Sequence, residues 1–246
     1  MIRKAFITAL AVALCMPVMA ARKQNAKKSQ FPVAVTELKT ERMVNPMSID
    51  TSTPRLGWII TSDKNDVMQT ACHIIVASTP EKAEKLEGDL WDATLLGDRS
   101  QWVRYEGKEL RSNTPCYWRV KVTTNKGESD WSNTAMWNVG LLNEADWSGQ
   151  WIGLEKAMPW DVEDVHSRLS SRYLRTEFSL DKPVKRATLY ISGLGMYEAY
   201  INGKKVGDQV LAPAPTDYRK TVLYNAFDVT QMLTAKNAIG VTLGNG

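Results

Sequence analysis

From Val33 onward, apolar and polar positions alternate in short runs, interrupted every few residues by Gly, Pro, Asn or Asp. A two-residue period marks half-buried strands, whereas a helix would repeat every 3.6 residues. The pattern predicts strands over 33–39, 54–62, 70–78, part of 102–110, 117–125 and 134–142. In YWRVKV, Trp118, Val120 and Val122 fall on one face and Tyr117, Arg119 and Lys121 on the other. Cys72, Ile74 and Val76 likewise share a face. His73 points the opposite way and reads as an outward polar residue, because no nucleophile or metal partner is spaced around it. The one helix-like piece is 80–88, opened by Pro80 and closed by Gly88. Several short strands over about a hundred residues predict an antiparallel sandwich.

A second β region begins near Trp147. Residues 146–155 read as a crossover leading into a strand, and 158–171, polar and acidic, as a long loop. Strands are predicted at 173–180, 186–193, 197–203, 204–211, 222–229 and 237–244. Asn202-Gly203 between two such runs is a hairpin signal, since both residues tolerate the positive φ of a type I′ turn. Residues 211–218 hold Pro213 and Pro215, which lack backbone donors, so this stretch reads as an exposed connection. In 227–237 a strand end, one helical turn and a turn follow each other, with Asp228 or Thr230 as the cap. The fold class is therefore all-β, with two consecutive antiparallel β-sandwiches.

Charge and the N-terminus refine the picture. The net charge is +4, but the first thirty residues alone hold +6, so the remainder carries −2. A nucleic-acid partner would need a basic face on the fold, so none is expected. Arg3 and Lys4 precede an apolar stretch, 5–16, that is too short to span a bilayer. Val18 and Ala20 are the small residues a signal peptidase accepts, which predicts a signal peptide over 1–20 cleaved after Ala20. The protein is then exported, to the periplasm or beyond. A lipid anchor on Cys15 would want a small residue before it, where Leu14 stands. Residues 21–32 form a basic linker, and no later stretch has transmembrane length. Two His and three Cys leave little material for a metal cluster, and neither metal nor cofactor is expected.

At this point the residues carry a resemblance. The segments PRLGWIITS, TACHIIVAS, LWDATLLGDRSQWVRYEGKEL, TPCYWRVKVTTNKGESDWS and MWNVGLLNEADWSGQWIG resemble the N-terminal sandwich of bacterial α-L-rhamnosidases of glycoside hydrolase family 78. LYISGLGMYEAYINGKKVGDQVLAPAPTDYRKTVLYNAFDVTQMLTAKNAIGVTLGNG resembles the accessory jelly roll that follows it. The resemblance implies a fibronectin-III or Ig-like sandwich over 33–145 and an incomplete jelly roll over 146–246. It also implies that the family's catalytic (α/α)6 barrel is missing from this chain. The parent enzyme would hydrolyse terminal α-L-rhamnose with inversion, so the implied partners are a rhamnose-containing glycan and that barrel. The sequence departs from the family at Cys72 and Cys116, where Tyr is commoner, at Ala214-Pro215, and in the loop 158–171. In a fibronectin-III-like fold the two cysteines sit at opposite ends of neighbouring antiparallel strands, beyond disulfide reach.

Inverting hydrolysis needs two carboxyl groups about 6.5–9.5 Å apart. Asp161, Glu163 and Asp164, beside Trp160 and His166, form the densest acidic stretch and read as a solvated loop. Asp146, Asp208, Asp217 and Asp228 sit where turns are expected. No catalytic residue is assigned. Of the nine Trp, Trp58, Trp118 and Trp137 read as core. Trp91, Trp102, Trp131, Trp147 and Trp151 lie near strand ends or the crossover, where some would pack between the sandwiches. Trp160, Tyr197, Glu198, Tyr200 and Tyr218 are the candidates for contact with sugar, through ring faces and hydrogen-bonding heads. An accessory region of an exported rhamnosidase is the first reading. A self-sufficient carbohydrate-binding or adhesive module and a non-functional gene fragment are the alternatives.

Overall fold

Alternation along the strands sorts side chains into two cores, each between antiparallel sheets. The computed structural model describes residues 31–154, 156–161 and 169–244. The expected signal peptide and most of the linker, with Glu163, Asp164 and His166, lie outside the described residues. The first sandwich contains β1 (Ala34–Thr40), β2 (Arg55–Thr61), β3 (Gln69–Ala77), α1 (Pro80–Glu84), β4 (Trp91–Leu96), β5 (Val103–Arg104), β6 (Pro115–Thr124), β7 (Gly127–Glu128) and β8 (Ala135–Asn138). One sheet runs β1-β2-β5; the other runs β4-β3-β6, with β7 and β8 both paired to β6. Along β6 every second residue is buried, including Trp118, Val120 and Val122. With Trp58 and Trp137 they form a core in which each indole is at most 1% exposed. Trp58 is tilted against Trp118 at 6.5 Å and donates from Nε1 to Gln69 Oε1 (3.1 Å). Removing one such ring costs about 3–5 kcal/mol. The Thr79 hydroxyl caps α1 by accepting from Lys82 N.

The thiols of Cys72 and Cys116 are free and buried. Cys72 pairs in register with Val122, and Cys116 lies six residues along the same strand, about 20 Å away at strand rise. Burial pushes their pKa values up to about 11 and about 12, so both are inert packing groups.

The second sandwich contains β9 (Arg172–Ser179), β10 (Thr188–Ser192), β11 (Tyr197–Ile201), β12 (Lys204–Lys205), β13 (Tyr224–Asp228) and β14 (Lys236–Leu243). A sheet ordered β12-β11-β14-β9 faces the two-stranded pair β10-β13. Its core is smaller: Tyr197, Ala199, Ile201, Val206, Ala212 and Val229 are buried, flanked by partly buried residues such as Leu189, Phe227 and Val241. Asn202 (φ +51°) and Gly203 (φ +78°) turn β11 into β12, as the hairpin signal requires. Asp228 Oδ1 accepts from Thr230 N (2.9 Å) at the start of a 3₁₀ turn, Thr230–Met232.

Several expectations are corrected. Residues 147–154 hold no strand, and the first strand after the crossover is β9. The predicted strand 204–211 pairs only at Lys204 and Lys205. The connection 211–218 is not wholly exposed. Ala212 and Pro213 are buried, because Ala212 O accepts from Tyr197 N (2.7 Å) and pins that point to the sheet. Two strands are unexpected: the two-residue β7, and β4, whose WDATLL pattern alternates but contains Asp, Ala and paired Leu.

Candidate functional site

Two features bring polar side chains together: a seam between the sandwiches and the outer face of the four-stranded sheet. The seam follows from alternation on β10 and β13. Leu189, Ile191 and Phe227 point into the second core. Tyr190 and Tyr224 point the other way, onto the first sandwich. The Tyr224 hydroxyl accepts from Leu141 N (3.0 Å) and shares a hydrogen bond with Ser48 Oγ (3.0 Å). Its ring packs on Trp147 at 5.6 Å and on Tyr190 at 5.9 Å. Tyr190 donates to Asn113 Oδ1 (3.1 Å) and accepts from the fully buried Asn138 (3.3 Å). Burial pushes the Tyr190 phenol up, so it stays protonated. Arg186 donates from Nη1 to Asn138 Oδ1 (2.9 Å) and from Nη2 to Asn113 O (2.8 Å). Gly140 is required beneath this contact: a Cβ there would lie 2.5 Å from the Tyr224 hydroxyl.

The crossover is held by a second polar knot. Arg172, 7% exposed, donates to Leu154 O, Lys156 O, Ser170 O, Ser170 Oγ and Asp161 Oδ2. The Asp161 side chain is 2% exposed and also accepts from Met158 N (2.7 Å) and Ser170 N (2.8 Å). Asp161 is therefore not part of a solvated loop, contrary to expectation. Amide donors from Met158 and Ser170 outweigh its burial and, with Ser170 and Arg172, hold its carboxyl far below the usual range. A carboxylate committed in this way is a structural acceptor and has no proton to give as a general acid.

The five sugar-contact candidates are not brought to one place. Trp160 is exposed at 71%, with Nε1 donating to Ser170 Oγ (3.1 Å). Tyr197 lies in the second core at 5% exposure, its hydroxyl donating to Asn225 Oδ1 (2.8 Å), and burial pushes its pKa up to about 12. Tyr218 accepts from Gly195 N (3.0 Å) and braces a turn. Glu198 and Tyr200 do meet, on the outer face of β11. Lys205 Nζ pairs with Glu198 Oε1 (2.5 Å), and the Tyr200 hydroxyl donates to Oε2 (2.7 Å). These hydrogen bonds, Lys205 first, lower the Glu198 pKa. In register beside them stand Gly240, Thr242, Arg175 and the 81% exposed Tyr173. Alternation with Leu174 could have marked Tyr173 as outward. The seam residues Asn113, Asn138, Arg186, Tyr190 and Tyr224 carry no sequence signal of their own, because each acts only through the packing of one sandwich on the other. Among the described residues no group of three or more His, Cys, Asp or Glu side chains is placed to hold a metal ion. No helix among them is long and apolar enough to cross a membrane.

Residues 35–143 match the family model for the Rha78A-like N-terminal immunoglobulin domain, and 182–246 match the α-L-rhamnosidase N-terminal domain. An α-L-rhamnosidase of Formosa agariphila is 37% identical over 223 residues, covering 82% of this chain and 23% of the relative. One from Alteromonas sp. is 34% identical over 217 residues, covering 86% of this chain and 24% of its own length. The structure of an α-L-rhamnosidase from Dictyoglumus thermophilum superposes with a TM-score of 0.78 at 36% identity, over 87% of this chain and 25% of that one. An Aspergillus terreus α-L-rhamnosidase gives 0.74 at 29% identity, over 87% and 24%. The chain thus spans about a quarter of the length of the relatives it matches. With both sandwiches matched in tandem to one N-terminal stretch, the chain belongs to the α-L-rhamnosidase family, as its N-terminal region.

Proposed function

We propose that this chain is the accessory region of an exported α-L-rhamnosidase. In this reading it holds two sandwiches at a fixed spacing beside a catalytic barrel that removes terminal α-L-rhamnose from glycosides, with inversion. The observation that carries the reading is the tandem match of both sandwiches to rhamnosidases of which the match covers only 23–25%. The seam supports it physically. Arg186, Tyr190 and Tyr224 bind buried or half-buried groups of the first sandwich, and such satisfied polar contacts fix a geometry better than an apolar contact does. The acid chemistry of the described residues fits a supporting role, since Asp161 is committed to Arg172 and Glu198 to Lys205. Export, with cleavage after Ala20, belongs to the same proposal, and N-terminal sequencing of the mature protein checks it.

The test is hydrolysis of a nitrophenyl α-L-rhamnoside. The isolated chain is expected to release no nitrophenol, while an enzyme carrying it ahead of a barrel does. Release by the isolated chain that survives Asp161→Asn would defeat the accessory reading. The outer sheet face, where Tyr200 and Arg175 flank the bare Gly240 and the exposed Tyr173 stands beside Thr242, favours sugar contact as a secondary role. Binding of rhamnosides by the isolated chain, abolished by Tyr173→Ala, checks that role.

A further inference from the structure

The outer face of sheet β1-β2-β5 gathers Lys39, Arg42 and Arg55, of which Lys39 and Arg55 have ion-pair partners and Arg42 has none among the described residues. Alternation on β2 sends Leu56 and Trp58 inward and turns Arg55 and Gly57 outward, with Lys39 in register opposite Gly57. A Cβ at Gly57 would come within 2.7 Å of Gln101 Oε1. The missing side chain lets Gln101 lie across the strand and donate from Nε2 to Trp58 O (2.7 Å). Its neighbour Trp102 is in the left-handed region, φ +59°, and projects over the face. Two guanidinium groups lie over the indole: Arg42 Cζ is 4.2 Å and Arg55 Cζ 4.4 Å from its centroid. Trp102 nevertheless stays 43% exposed. Together with Lys39, Glu41 and Gln101 these residues line an open hollow of about 400 Å³.

The carboxylate of that hollow is already committed. Glu41 accepts from Arg55 Nε (3.0 and 3.1 Å), Nη2 (2.5 Å) and the backbone N (2.7 Å). Those bonds, the Arg55 side chain foremost, keep Glu41 below its usual pKa and therefore ionised. Lys39 reaches only Glu37 (3.2 Å), in an exposed pair of little strength. Arg42 makes no salt bridge and no hydrogen bond among the described residues, and its charge meets Glu41 only at a distance, as a minor contribution beside Arg55. Stacking fixes its guanidinium while all its donors remain free.

We propose that this hollow binds an acidic sugar, with the carboxylate of a uronic acid unit received by the fork of Arg42. Lys39 adds a second positive charge, and apolar C–H groups of the sugar pack against the part of the Trp102 indole that the two guanidinium groups leave exposed. The volume suits a saccharide unit better than a lone oxyanion, since ligand sites run from about 300 Å³ upward. Gln101 supplies an amide for hydroxyl groups. That the anion is carried by a sugar rests on the rhamnosidase reading; the demand for an anion does not.

The test is calorimetric titration of the purified chain with trigalacturonic acid, with neutral galactotriose and sodium sulfate as comparison probes. Trigalacturonate is expected to bind saturably and more weakly as salt is raised. Arg42→Gln should weaken it roughly tenfold. Lys121→Gln, the same change of charge on the opposite sheet where Lys121 pairs with Glu128, should leave it unchanged. Arg42 makes no hydrogen bond among the described residues and only stacks on the half-exposed Trp102, so its variant is expected to melt close to the wild type. Trp102→Leu, a second variant, should also weaken binding. Four results would each overturn the proposal: no saturable binding, equal binding of galactotriose, equal binding of sulfate alone, or equal losses in Arg42→Gln and Lys121→Gln. None of these readouts involves rhamnoside hydrolysis, so failure here leaves the accessory reading standing, and failure of that reading shows separately in the hydrolysis assay.

Discussion

At the scale of single residues, the most consequential group is the Arg172–Asp161 pair, because it is buried and holds the crossover closed. Removing the guanidinium strips donors from three backbone carbonyls as well as from the carboxylate. Arg172→Met is therefore expected to destabilise the protein more than Arg175→Met, whose parent residue pairs only with the exposed Glu177. Asp161→Asn should show a pH signature. The Asp161 carboxyl is depressed in the folded state, so its contribution is fully present above the unfolded pKa of about 4 and is lost as pH falls through the lower folded value. Melting curves of wild type and Asp161→Asn should thus differ most at neutral pH and converge in acid. A gap that stays constant down to strongly acidic pH would show that the carboxylate is not the ionised partner. The composition around Asp161 reads as a surface loop, and burial was not legible there. The counter-charge that makes burial tolerable stands eleven residues away, at the start of β9, and no local pattern connects the two.

At the scale of elements, alternation was a reliable guide wherever one face of a strand meets a core. In β6 the sequence pattern and the burial pattern coincide residue by residue. The Asn202-Gly203 hairpin was legible for the same local reason, since both residues occupy positive φ. A Cβ at Gly203 would meet nothing within 4 Å, so substitution there tests backbone strain alone. Gly203→Val should destabilise the second sandwich by about 1–3 kcal/mol, and Gly203→Asn by clearly less. Equal melting temperatures for both variants would mean that the turn bears no strain. Two kinds of element escaped the sequence. Strand β4 has weak strand formers and gains its place by pairing with β3, in register from Ala71↔Leu96 to Val76↔Trp91. The connection 211–218 has the prolines of an exposed loop, yet its Ala212 is drawn in by a hydrogen bond from Tyr197. Among the candidate site residues, alternation placed Glu198 and Tyr200 together on an outer face. It could not show that the Tyr197 hydroxyl would find Asn225 inside the core, across the gap between two sheets.

At the scale of the whole molecule, the two sandwiches differ in how much they can do alone. The first packs three fully buried indoles between two sheets. The second has few fully buried residues, and one of its sheets, among the described residues, is the pair β10-β13. A two-stranded sheet has little independent stability, and it needs cover on both faces. The second core covers Leu189, Ile191 and Phe227; the first sandwich covers Tyr190 and Tyr224. It follows that the seam stabilises the weaker sandwich in addition to orienting it. Tyr224→Phe removes the acceptor of Leu141 N and should cost about 1–2 kcal/mol. Combined with Arg186→Met, which leaves the buried Asn138 Oδ1 without its donor, it should divide unfolding into two steps. Calorimetry of the wild type is expected to show one cooperative transition. The double variant should show an early transition for the second sandwich, and a later one near the wild-type temperature for the first. If the double variant melts in a single transition at the wild-type temperature, the seam is a passive contact and the spacing of the sandwiches must be held by the crossover knot at Arg172 instead.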